Sequence, residues 1–123
     1  MKKLILPLVI LILSGCYYDS EEALYGRPEA CDMSDTRYST AIQPILTAYC
    51  INCHYKNAPN DVGGGISLVS YDDVYKYTMN GQLKSSIEHT AGTPMPKSGG
   101  KLSNCDISII NAWITAGALN DKP

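Results

Sequence analysis

The chain has 123 residues, 45% of them hydrophobic and 18% charged, with 10 Lys and Arg against 12 Asp and Glu for a formal charge of −2. That length supports one small domain rather than two, and an acidic balance excludes nucleic acid as a natural partner. A domain this small has a modest core, which a cofactor or a disulfide often supplements.

At the amino terminus, Lys2 and Lys3 precede an apolar run from Leu4 to Leu13. The run is shorter than the ~20 apolar residues a membrane span needs, so it reads as a cleaved export signal. It ends in Leu13-Ser14-Gly15-Cys16, which resembles the lipobox of bacterial lipoproteins. The resemblance implies removal of residues 1–15, acylation of Cys16 and attachment to a bacterial membrane facing the periplasm or the cell surface. Loss of Lys2 and Lys3 takes the formal charge from −2 to −4. Residues 16–37 open with Tyr17-Tyr18-Asp19-Ser20-Glu21-Glu22 and lack periodicity, as expected of an acidic tether and extension. The domain proper is expected over residues 38–123.

The spacing of Ile42, Ile45, Leu46 and Tyr49 predicts a first helix from Thr40 to about Cys50. Thr40-Ala41-Ile42-Gln43 reads as its capping box, with Pro44 in the first turn. Lys56 to Gly65 holds Pro59 and three consecutive glycines, a loop able to approach a flat ligand closely. Ser70-Tyr71-Asp72-Asp73 opens a second helix with Val74 and Tyr77 on one side and Gly81 as its stop. A short helix from Leu83 to about Glu88 follows, then an irregular stretch from Ala91 to Gly100 rich in Pro and Gly. The last helix is framed by Ser103 as N-cap, with Asp106 three residues on, and by Gly117. Ile107, Ile110 and Ile114 form its stripe and Trp113 stands beside them. No strand pattern and no internal repeat occur, so the expected fold class is all-α.

Between the first helix and the glycine loop lies Cys50-Ile51-Asn52-Cys53-His54, the C-x-x-C-H attachment signature of c-type haem. The spacing lets each thiol add to one haem vinyl group while His54 serves as proximal iron ligand. A thioredoxin-like redox pair needs a βαβ context, which is missing. A zinc site would draw on His54, His89 or Cys105, but no second closely spaced ligand pair completes it. For the second axial position Met95 is the first candidate, in Thr93-Pro94-Met95-Pro96, where flanking prolines stiffen the loop. His89 and Met79 are the alternatives, and an open iron position is a further one. Cys31 and Cys105 remain, and in an oxidising compartment leftover cysteines pair more often than they stay free. Such a bond closes a long loop and adds up to about 4 kcal/mol in the chain-entropy model.

Ile42-Gln43-Pro44-Ile45-Leu46 ahead of C-x-x-C-H, the Met95-Pro96 loop, Gly99-Gly100-Lys101-Leu102-Ser103 and a closing helix with Trp113 together resemble the class I cytochrome c family in its small lipoprotein form. The resemblance runs from about Tyr38 to Asn120. It implies an all-helical domain around one covalent haem c with a partly exposed edge. It also implies a crossing where Ile42, Ile45, Leu46 and Tyr49 meet Ile107, Ile110, Trp113 and Ile114. The function expected is one-electron transfer with redox proteins as partners, and Lys56, Lys84, Lys97 and Lys101 are placed to steer an acidic one. Two other functions remain open: a haem-bearing accessory subunit of a larger respiratory complex, and a peroxidase-like haem enzyme, which needs an open iron position and a distal acid or base.

Overall fold

Residues 31–121 are described by a computed structural model. The expected leader, the lipidation site Cys16 and the tether up to residue 30 lie outside the described residues, as do residues 122 and 123. Among the described residues there are helices, turns and loops and no strand, so the fold is all-α. None of these helices is long and apolar enough to cross a membrane.

The first helical segment begins earlier than its pattern suggested. A π-helical turn, Tyr38–Ile42, runs directly into α1, Gln43–Tyr49. The wide turn is closed by the Ile42 N–H, which donates to the Arg37 carbonyl at 3.2 Å; the Ala41 N–H shares that acceptor at 3.0 Å. It lies just before Pro44, which has no N–H to donate and whose ring presses on the carbonyl four residues back in a regular helix. Thr40 is therefore not an N-cap. Its hydroxyl instead donates to Asp35 Oδ2 at 2.6 Å. The same carboxylate accepts from the Arg37 backbone N–H, Nε and Nη2, each at 3.0 Å. These hydrogen bonds, first of all those from Arg37, hold the Asp35 carboxyl well below the usual carboxylate range.

The other elements lie close to their sequence signals. A single helical turn, α2 (Asn60–Gly63), interrupts the glycine loop. In α3, Tyr71–Met79, the Ser70 hydroxyl accepts the Asp73 N–H at 3.2 Å. Next, α4 (Gln82–Glu88) is entered through Gly81 at φ 77°. In α5, Asn104–Thr115, Ser103 Oγ accepts the Asp106 N–H at 3.0 Å and donates to Asp106 Oδ2 at 2.8 Å. Each cap satisfies a backbone donor that the first helical turn leaves without an intrahelical partner.

Tyr38, Ile42, Leu46, Val74, Ile87, Ile110 and Trp113 form the centre of the core. The α5 helix packs on the π turn and on α4, which in turn packs on α3. The Tyr38 ring stands edge-on to Tyr71 at 5.0 Å and lies 5.7 Å from Trp113. The first and last helices thus meet through the π turn. Tyr49 takes no part in that contact. It is in phase with the apolar stripe but sits in the last turn of α1, where it is 51% exposed beside a cleft. The chain after α5 is tied back across this region. The Trp113 indole N–H donates to the Leu119 carbonyl at 3.0 Å, the Tyr71 hydroxyl to Ala118 at 2.7 Å, and the Ser39 N–H to Asp121 Oδ1 at 2.8 Å.

Candidate haem site

The attachment motif continues the winding of α1 for one more turn. The Cys50 N–H donates to the Leu46 carbonyl at 2.8 Å, and the Cys50 carbonyl accepts from Cys53 N–H at 3.1 Å and His54 N–H at 2.9 Å. That winding brings Cys50, Cys53 and His54 onto the wall of one cleft of about 550 Å³, within the ~300–1,000 Å³ common for small-molecule and cofactor sites. Both thiols are free, whereas Cys31 and Cys105 are disulfide-bonded. Burial pushes the Cys50 thiol up to about 11. A nucleophilic C-x-x-C centre depends on a lowered thiol pKa, so Cys50 lacks the character of such a centre.

His54 is buried, at 9% exposure, and held from two sides. Its ring Nδ1 lies 3.1 Å from the Ile66 carbonyl, to which it donates. Its own carbonyl accepts the Leu68 N–H at 2.9 Å. A proton fixed on Nδ1 leaves Nε2 with its lone pair, the state in which histidine binds a metal, and a carbonyl partner is the usual way to fix ring orientation. Gly63 closes the same wall. A Cβ there would collide with the Cys53 carbonyl oxygen and press on Ala58 Cβ at 3.2 Å, so the close approach of α2 to the motif requires glycine.

Beside the motif the cleft is lined by Ile66 and Leu68, and its lining continues through Tyr77, Leu83 and Ile87 to Met95, Pro96, Lys97 and the glycines Gly92 and Gly99. Apolar walls, two unpaired thiols, an imidazole with one free nitrogen and a thioether in one cleft fit a covalently attached haem. His54 is the nitrogen ligand such a group would take and Met95 the sulfur ligand. The other candidates stand apart. His89 is not part of the lining and its Nε2 donates to the Met95 carbonyl at 3.0 Å. Met79 is neither core nor cleft: it is 61% exposed at the end of α3. Among the described residues no cluster of three or more His, Cys, Asp and Glu side chains is placed to hold a metal ion by itself. Lys56, Lys84, Lys97 and Lys101 are all exposed, and Lys97 stands on the cleft itself.

Several contributors carried no sequence signal. The Ile66 and Leu68 backbone groups that hold His54 have none, because a carbonyl or an N–H belongs to every residue type. Tyr77, Leu83 and Ile87 were legible as helix residues, but only the packing of α3 and α4 turns them to the cleft. Asp61, from α2, adds a carboxylate to the lining.

No protein-family model matches this chain, and no solved structure matches it. The hydrazine synthase alpha subunit of Kuenenia stuttgartiensis is 33% identical over 104 residues. The alignment takes in 81% of this chain but 12% of that subunit, so the chain spans a small part of the length of the curated relative it matches.

Proposed function

We propose that the protein is a monohaem c-type cytochrome of the class I kind, exported, anchored through lipid on Cys16, and used for one-electron transfer. The observation that carries this reading is the convergence of Cys50, Cys53, His54 and Met95 on one cleft. Cys50 and Cys53 would hold the haem through thioethers, each S–H adding across one vinyl group with sulfur on one carbon, hydrogen on the other and no net oxidation. The iron of the bound haem supplies reversible one-electron exchange.

The chain's own residues do the rest. The Ile66 carbonyl sets the tautomer and rotation of His54. Leu68, Leu83 and Ile87 give the cleft apolar walls that exclude water, and the Met95 thioether would favour the reduced state of a bound iron. The disulfide-bonded state of Cys31 and Cys105 supports an oxidising compartment, hence export. Exposed Lys97 on the cleft offers a cationic edge to an acidic redox partner.

A second reading is favoured by the similarity to a subunit of a synthase, of which this chain matches a short stretch. In it the domain is the haem-bearing subunit of a larger enzyme, passing electrons to or from a partner's active site. A peroxidase-like role has less support, because the second of the chain's two histidines, His89, is engaged with the Met95 carbonyl. Voltammetry and optical spectra of the oxidised protein test the main reading. It expects a reversible one-electron wave and a sulfur-to-iron charge-transfer band. A high-spin spectrum would sink electron carriage through a closed iron site.

A further inference from the structure

Met95 lies in the exposed stretch of residues 91–100, where only Met95 and Pro96 are half-buried. Its peptide is nevertheless held at both ends by the end of α4. The Met95 N–H donates to the Ser86 carbonyl at 3.0 Å, and the Met95 carbonyl accepts from His89 Nε2 at 3.0 Å. The first partner is backbone and independent of residue type. The second depends on the imidazole.

His89 adopts φ 59°, a left-handed conformation, as it closes α4. That region is uncommon for residues other than glycine, which enters it without a Cβ penalty and is the usual helix terminator there. The turn alone would therefore be served better by glycine. What histidine adds is a donor long enough to reach the Met95 carbonyl.

We propose that His89 is a positioning residue for Met95. It latches the loop that presents the thioether to the cleft and does not compete for the iron. This rests on the reading of Met95 as second axial ligand. Displacing Met95 by an outside ligand requires the loop to open, and opening breaks the His89 bond. The latch thus opposes displacement by about the weight of one hydrogen bond.

The test is a titration of the oxidised, haem-loaded full chain with imidazole, followed at the sulfur-to-iron charge-transfer band. His89→Gly, which suits the left-handed turn and removes the donor, is expected to bind imidazole about five-fold more tightly than the parent chain. His89→Asn, which also tolerates the turn and keeps an amide donor of shorter reach, is expected to fall between them. A parent chain with the band and an unchanged imidazole affinity in His89→Gly would overturn the latch alone. A parent chain without the band would overturn Met95 ligation and the latch with it. Thermal unfolding of each variant separates the latch from a general structural role, which would lower the melting temperature and leave imidazole affinity where it was. Should His89→Gly fail to fold, the Asn variant decides on the same readout.

Discussion

The two walls of the cleft hold their candidate ligands by the same device in opposite surroundings. His54 and Met95 each have two polar groups tied to a neighbouring segment, His54 to Ile66 and Leu68 and Met95 to Ser86 and His89. The His54 side is buried and closed by Gly63, with both thiols beside it. The Met95 side is an exposed loop whose latch sits on an exposed histidine. Hydrogen bonds shielded from water open less readily than those that water can replace. On the proposed reading the Cys50–His54 wall is accordingly the fixed reference, and the Met95 wall is the side where ligation would be adjusted.

The sharpest way to break this contrast is to remove a ligand from each wall in turn. His54→Ala is expected to reduce the yield of correctly ligated haem protein to near zero, measured as haem absorbance per protein. Met95→Ala is expected to keep the covalent haem while losing the charge-transfer band and lowering the reduction potential. Equal loss of haem in both would mean that the walls do not differ as described. Next in size is glycine replacement. Gly63→Ala forces a Cβ against the Cys53 carbonyl oxygen and is expected to cost ~1–3 kcal/mol in denaturant unfolding. Gly92→Ala on the loop side meets nothing within 4 Å and should cost about 1 kcal/mol, from its φ of 69° alone.

Smaller still, Ser70→Ala removes the cap of α3, the helix that follows the His54-binding segment, and is expected to cost about 1 kcal/mol of stability. The smallest effect is a pH dependence at Asp73. Hydrogen bonds from Ser70 and Ser67 lower its pKa below the unfolded value of about 3.9. The folded state therefore binds the proton more weakly than the unfolded one. Its contribution to stability is present above about pH 4 and is lost as pH falls through the folded pKa. Asp73→Asn should flatten the acid limb of a stability-against-pH curve slightly, and an unchanged limb would contradict the assignment.

What could be read from the sequence was what is decided within a few residues. The C-x-x-C-H motif packs its whole chemistry into residues 50–54, and the Ser70 and Ser103 caps need only an acceptor and an N–H three residues on. The all-α class followed from helical spacing without alternation. The start of the first helix was not legible, because Asp35 competes for the Thr40 hydroxyl and Pro44 is accommodated by a π turn that brings Tyr38 into the core. Tyr49 matched the apolar period, but period says nothing of how far along a helix the packing extends, and Tyr49, in the last turn of α1, lies exposed at the cleft. The role of His89 was equally hidden. As a free histidine it reads as a ligand, and only the folded loop gives its Nε2 the Met95 carbonyl.

The most direct test of a covalent haem on the fixed wall is mass spectrometry of the tryptic peptide covering residues 38–56, from full-length protein made together with the haem-attachment machinery. The account predicts that this peptide carries one haem, joined through both Cys50 and Cys53. The same peptide with two unmodified thiols, or with a Cys50–Cys53 disulfide, would contradict it.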